Sequence, residues 1–289
     1  MTIAMHLIPG DRLHLQHGPI DLVIGADGRA GARQCAVEAA TRRFDGLLEE
    51  LVHELPMLRR PMTAEAPLPL GETARRMDCA VRPHCRGFVT RMAAVAGSVA
   101  DTILDAMRAA TPLERAYVNN GGDIALHLSP GAQFTTAMLD HDGRELGRIA
   151  LDFDQGVGGL ATSGRHGRSH SLGIADSVTV LAQCAAEADV AATLIANAVD
   201  LPWHPAVQRE PACDLDPDSD LGERKVVTSV GRVSEADVDQ ALSAGLARAA
   251  ELHRDNTVIA AALFLRGETR VTGSGFTRMQ TSQRLLTSA

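Results

Sequence analysis

Hydrophobic and polar residues alternate with two different periods along the chain, and the switches between them outline the elements. Short alternating runs at residues 13–17 and 20–25, separated by Gly18-Pro19 and closed by Asp27-Gly28, predict a strand pair. From residue 31 to 55 the apolar positions Val37, Ala40, Phe44, Leu47, Leu48 and Leu51 recur at helical spacing. Residues 56–71 hold four prolines and predict an extended connection, and residues 86–110 predict a second helix that Pro112 ends. Two apolar runs about Gly121-Gly122 predict a strand, a tight turn and a strand; Asp142-Gly143 predicts a hairpin between residues 134–139 and 147–153. Residues 177–181 read as a strand and residues 226–230 as another, with a flexible loop excursion expected at 202–222. Ser234 is placed to cap a helix reaching about His253, and residues 257–265 and 269–272 form a last hairpin candidate before a frayed end at 273–289. The whole predicts an α+β fold, an antiparallel sheet packed by helices, either as one domain over 1–289 or as two closely packed lobes.

One helix departs from the usual pattern. In the segment Glu187-Ala-Asp-Val-Ala-Ala-Thr-Leu-Ile-Ala-Asn197, the polar residues Asp189, Thr193 and Asn197 are each four apart, so they share one face while small and apolar residues fill most of the rest. A carboxylate in so apolar a helix needs a partner.

Composition narrows the classes of function. Hydrophobic residues make up 45% and charged residues 22%, which is globular rather than disordered composition. Aromatic residues are 3% and the formal net charge is -8, so neither base stacking nor a basic nucleic-acid footprint is expected. Lys225 is the sole lysine, which confines any lysine chemistry to that position. The five cysteines, at 35, 79, 85, 184 and 213, are odd in number and form no Cys-x-x-Cys pair, which argues against a disulfide framework or zinc knuckle. No apolar stretch approaches membrane-spanning length, and Pro9 and Asp11 fall too early for a signal peptide; a cytoplasmic protein with no membrane partner is expected.

Candidate chemistry lies between residues 158 and 197. Thr162-Ser163-Gly164 follows Gly158-Gly159, and closely spaced amides and hydroxyls beside Arg165 and Arg168 suit a phosphate or diphosphate; an ordinary Gly-Ser loop is the competing reading. His166 and His170 are acid–base or ligand-contacting candidates, on a loop rather than a helix because Gly167 and Gly173 interrupt it. Asp189 and Thr193 are hard oxygen donors one turn apart, suited to Mg²⁺; on spacing alone, the reading of a capping Asp and a Thr bonded to its own helix prevails.

The order of these motifs adds information. Gly121-Gly122-Asp123-Ile124, Ala161-Thr162-Ser163-Gly164, Ser177-Val178-Thr179-Val180 and Ala188-Asp189 with Thr193 resemble the motif series of the ApbE superfamily, which includes FAD:protein FMN transferases, and within it the UPF0280 branch. The resemblance covers about residues 86–200 and implies an ApbE-like, T-fold-related architecture. It also implies Mg²⁺ on Asp189 and Thr193, with a backbone carbonyl near residues 93–96 as third ligand. Gly121, Gly122, Asp123, Thr162, Ser163 and Gly164 would bind FAD or FMN, and Arg165, Arg168, His166 or His170 would serve the chemistry. Implied functions are FMN transfer to a flavin-acceptor protein or pyrophosphate cleavage; a non-catalytic flavin, nucleotide or metabolite binder, or another small-molecule reaction, is the alternative. Two departures stand out. The family's Lys-Gly pair falls on Ala96-Gly97, and its His-x-x-Asp-Pro-x-Thr-Gly loop is replaced by the run 165–176.

Overall fold

The strand pair expected at 13–17 and 20–25 is observed, and a further strand precedes it. In the computed structural model, which describes residues 3–277, β1 (Ala4–Ile8), β2 (Arg12–His17) and β3 (Ile20–Asp27) make an antiparallel meander. Leu13, Leu15, Leu22 and Ile24 are buried on one face of it, the outcome of period-two patterning. The long helix expected over 31–55 is broken: Gly46 adopts φ 79°, so the chain turns between α1 (Ala32–Phe44) and α2 (Leu47–Leu58). Pro56 lies inside α2, near its end, so the extended connection starts only after it.

An element that proline and glycine spacing obscured comes next. α3 (Glu72–Val81) buries Ala74, Met77 and Val81 and carries Asp78, which is 1% exposed and accepts from Arg91 at 2.7 Å. Arg82 also donates to Asp78 through two nitrogens at 2.8 and 2.9 Å, so the buried carboxylate is fully partnered. The helix expected from residue 86 starts later. Thr90 caps a 3-10 turn, Arg91–Ala94, which leads into α4 (Val95–Ala110).

Sheet building then resumes with β4 (Arg115–Asn120) and β5 (Asp123–Leu128), joined by Gly121 and Gly122 at φ 65° and 114°. β6 (Gln133–Leu139) and β7 (Glu145–Asp152) form the expected hairpin, followed by β8 (Gly159–Ser163), β9 (Ser177–Ala182) and α5 (Ala185–Ala198). The stretch 202–222, expected as a loop, contains regular structure: β10 (Val207–Pro211) and α6 (Ala212–Leu215), with β10 paired to β11 (Lys225–Val230). α7 (Glu235–Arg254) starts in a capping box between Ser234 and Asp237, as the sequence suggested. β12 (Ala260–Leu265) and β13 (Glu268–Thr272) complete the last hairpin. The expected fraying at 273 is not seen, because β14 (Phe276–Thr277) pairs with β7; residues 278–289 lie outside the described residues.

The main sheet has nine antiparallel strands in the order β1-β2-β3-β4-β5-β8-β9-β12-β13, and a smaller sheet runs β14-β7-β6. Helices α1, α4, α5 and α7 cover one face of the main sheet and the small sheet covers the other. β12 shows why some strands read as continuous apolar runs: Ala261, Leu263 and Leu265 face the helices while Ala260, Ala262 and Phe264 face the small sheet. No helix among the described residues is long and apolar enough to cross a membrane.

Candidate functional site

The position of α5 is set by three glycines and one aspartate. A Cβ on Gly158 would lie 2.1 Å from the Gln183 carbonyl oxygen, one on Gly159 2.1 Å from the Ala185 nitrogen, and one on Gly97 2.2 Å from the Ala185 carbonyl oxygen. Strand β8 and helix α4 therefore approach the start of α5 backbone to backbone. Asp101 of α4 accepts from the N–H groups of Ala185 and Ala186 at 3.0 and 2.9 Å, capping α5 from a neighbouring helix. The capping role considered for Asp189 is thus filled by Asp101. Asp189 stands a turn further along.

Asp189, Thr193 and Asn197 line one cavity of ≈ 340 Å³, together with Asp123 from the start of β5, Ala93 from the 3-10 turn and Ala96 from the start of α4. Asp189 Oδ2 accepts from the Gly97 N–H at 3.0 Å, and Asp123 Oδ1 from the Thr162 N–H at 3.2 Å. Burial, and then the charge of Asp123, push the Asp189 carboxyl well above the usual carboxylate range, against the pull of the Gly97 and Ala96 amides. Burial pushes Asp123 up to about 7, opposed by the Thr162 amide. The Thr193 hydroxyl makes no hydrogen bond among the described residues, so it is not turned back onto its own helix. Asn197 has a structural duty, accepting from the Leu172 N–H at 3.0 Å.

The excursion after β10 closes over this cavity. Asp216, Asp218, Ser219, Asp220 and Leu221 line it; Thr90 donates to Asp220, Arg59 lies 3.7 Å from Asp218, and the Arg224 guanidinium stacks 3.4 Å above the Phe88 ring. These residues had a signal in the sequence, the alternating aspartates 214, 216, 218 and 220, which alone does not say what they face.

The glycine and hydroxyl motifs are divided between two cavities. Gly121, Gly122, Thr162, Ser163 and Gly164 line a second one of ≈ 330 Å³, against the small sheet and beside the first. The Asp123–Thr162 hydrogen bond joins the two. The 162–167 turn is not an open row of amides: Thr162 N–H donates to Asp123, Arg165 N–H to the Ala175 carbonyl and Gly167 N–H to the Gly164 carbonyl. The Thr162 and Thr179 hydroxyls share a hydrogen bond at 2.9 Å.

The four residues considered for chemistry separate in the same way. Arg165 is held by Asp176 at 2.7 Å, and Asp176 also accepts from the Arg266 N–H. His166 lines the second cavity, 3.6 Å from Asp176 and stacked on His141 at 3.9 Å; burial and then Arg165 and His141 lower its pKa. Arg168 and His170 line the first cavity with Asp123 and Asp189. The run through them is a loop without helix, as its glycines suggested.

Whether a metal ion suits the first cavity depends on its donors. No group of three or more His, Cys, Asp or Glu side chains arranged for a metal occurs among the described residues. Two carboxylates that burial and mutual repulsion disfavour as anions, beside an unused hydroxyl, nevertheless form an oxygen donor set that fits Mg²⁺. The Ala96 carbonyl accepts from Asn120 Nδ2 at 3.1 Å.

A family model described as AbpE bacteria matches residues 4–271. The chain belongs to that family. Its place is in the ApbE superfamily, UPF0280 branch. A UPF0280 protein of Methanopyrus kandleri is 34% identical over 181 residues, 61% of this chain and 69% of the relative. One from Methanobrevibacter smithii is 36% identical over 132 residues, 44% of this chain and 52% of the relative. Among solved structures, the ApbE protein of Thermotoga maritima is 10% identical with a TM-score of 0.46, covering 94% of this chain and 96% of that one. The Pseudomonas stutzeri flavinyl transferase ApbE is 14% identical with a TM-score of 0.42, covering 94% of each chain. The α+β architecture expected of an ApbE superfamily member, an antiparallel sheet packed by helices, is the one observed.

Proposed function

We propose that this ApbE superfamily protein binds a flavin nucleotide, FAD or FMN, through a Mg²⁺ site on Asp189 and Thr193, with Asp123 as a further oxygen donor. The observation that carries this reading is the convergence of Asp189, from α5, and Asp123, from the start of β5, on one cavity beside the unbonded Thr193 hydroxyl. When bound, the metal would supply positive charge that neutralises a diphosphate and polarises its phosphoryl oxygens. The residues themselves do the positioning: Gly97 fixes the Asp189 carboxylate, Thr162 fixes Asp123, and the 216–221 segment lines the cavity on a further side. Thermal unfolding with FAD and Mg²⁺ together tests it. A rise in melting temperature that needs both and disappears in Asp189→Ala is expected; no rise with any flavin sinks the reading.

Binding without transfer is the second reading, and one observation favours it. Gly97, where the superfamily pattern has the glycine of a Lys-Gly pair, leaves no room for a side chain, and Ala96 before it brings no cation to the cavity. Incubating the protein with FAD, Mg²⁺ and a flavin-acceptor protein decides between them: released AMP with FMN covalently on the acceptor supports transfer, released AMP with free FMN supports diphosphate cleavage, and bound FAD without AMP supports binding alone.

A further inference from the structure

Resting on the nucleotide reading above, we infer that Arg168 is the residue that recognises the ligand's diphosphate, and that it does so from the junction of the two cavities. The charge balance of the first cavity raises the question. Beyond the proposed metal ligands Asp123 and Asp189, the cavity is lined by Asp216, Asp218 and Asp220, and a cationic side chain facing it would offset their charge toward a polyanionic ligand. Two arginines line the same cavity. Arg59 lies 3.7 Å from Asp218 and is matched by it. Arg168 makes no side-chain hydrogen bond and no ion pair among the described residues.

The location of Arg168 is as informative as its lack of a partner. Its guanidinium lies over Gly121: a Cβ there would be 3.4 Å from Nη1 and 3.5 Å from Cζ. Gly121 adopts φ 65°, so the turn requires glycine for its backbone, and the guanidinium rests in van der Waals range of that turn. Because Gly121 lines the second cavity and Arg168 the first, the guanidinium stands where a ligand passing from one to the other would carry its charge. Arg165, three residues earlier, is excluded from this role by its 2.7 Å ion pair with Asp176. A planar fork of donors that is free of carboxylates matches phosphate oxygens in pairs, which a point charge does not.

Calorimetric titration of the full chain in Mg²⁺ with three probes, inorganic pyrophosphate, FAD and riboflavin, tests the assignment in wild type, Arg168→Gln and Arg168→Lys. Arg168→Gln is expected to weaken pyrophosphate and FAD about tenfold or more, the scale of a lost charge-assisted hydrogen bond, and to leave any riboflavin binding unchanged. Arg168→Lys is expected to recover part of the loss. Equal pyrophosphate affinity in wild type and Arg168→Gln, or an equal loss of riboflavin, overturns the inference. Wild-type protein that binds pyrophosphate but no flavin would end the flavin reading and leave Arg168 standing; binding of neither pyrophosphate nor FAD would end both. The melting temperature of each variant separates lost recognition from lost folding.

Discussion

The Gly97 N–H donates to the Asp189 carboxylate at 3.0 Å across two helices, where a Cβ on Gly97 would meet the Ala185 backbone. One residue thus sets both the packing of α4 on α5 and the orientation of the carboxylate proposed to hold the metal. Gly97→Ala separates two opposing effects. Alanine in a helix is favoured over glycine by about 1 kcal/mol, but a Cβ 2.2 Å from the Ala185 carbonyl oxygen forces backbone apart, at about 1–3 kcal/mol. Overpacking wins, so a lower denaturant midpoint and weakened Mg²⁺ binding are both expected. An unchanged midpoint would show that the helices separate without cost.

Asp101 offers a test of how α5 is held. It is 5% exposed and accepts two N–H groups that have no other partner in their helix. Asp101→Ala leaves both buried and unbonded, for a loss of about 2–4 kcal/mol in chemical denaturation. Asp101→Asn keeps an acceptor and no charge. Since burial raises the Asp101 pKa against its two amides, the asparagine variant should lose clearly less than the alanine one.

Asp189→Asn should divide stability from binding. The carboxylate is disfavoured in its charged form by burial and by Asp123, and an amide oxygen still accepts from Gly97. Metal-free Asp189→Asn is therefore expected to melt at or above the wild-type temperature, while the stabilisation given by Mg²⁺ disappears. A variant that melts lower and still responds to Mg²⁺ would place the metal elsewhere.

The polar stripe at Asp189, Thr193 and Asn197 was legible in the sequence because helical spacing alone puts the three on one face, and all three line the same cavity. What they face was not legible. Asp123 is 66 residues from Asp189 in sequence, the difference of their numbers, and only the sheet order β4-β5-β8-β9 with α5 packed upon it brings them together. The lid residues were hidden for a different reason. Proline and aspartate at 211–220 carry the composition of a loop, yet pairing of β10 with β11 and the Thr90–Asp220 contact are tertiary events. α3 was obscured by the prolines before it and by its arginines, although Ala74, Met77 and Val81 keep a buried face.

His84 contributes one pH-dependent part of the stability. It is 7% exposed, its Nε2 has no hydrogen-bond partner among the described residues, and burial followed by the charge of Arg248 lowers its pKa, with Asp255 opposing. The folded protein therefore holds His84 neutral at pH values where the unfolded chain, titrating near 6.5, already binds a proton. Unfolding takes up that proton, so the stability contributed by this group is complete above about pH 6.5 and is lost as pH falls below it, at up to about 1.4 kcal/mol per pH unit. The raised Asp123 and Asp189 carboxyls act in the opposite direction over the same range, so the group is read by difference: between pH 7.5, 6 and 5 the stability of wild type relative to His84→Leu should fall, whatever the variant's stability at neutral pH. Parallel pH profiles for the two proteins would mean that His84 is protonated without cost in the fold.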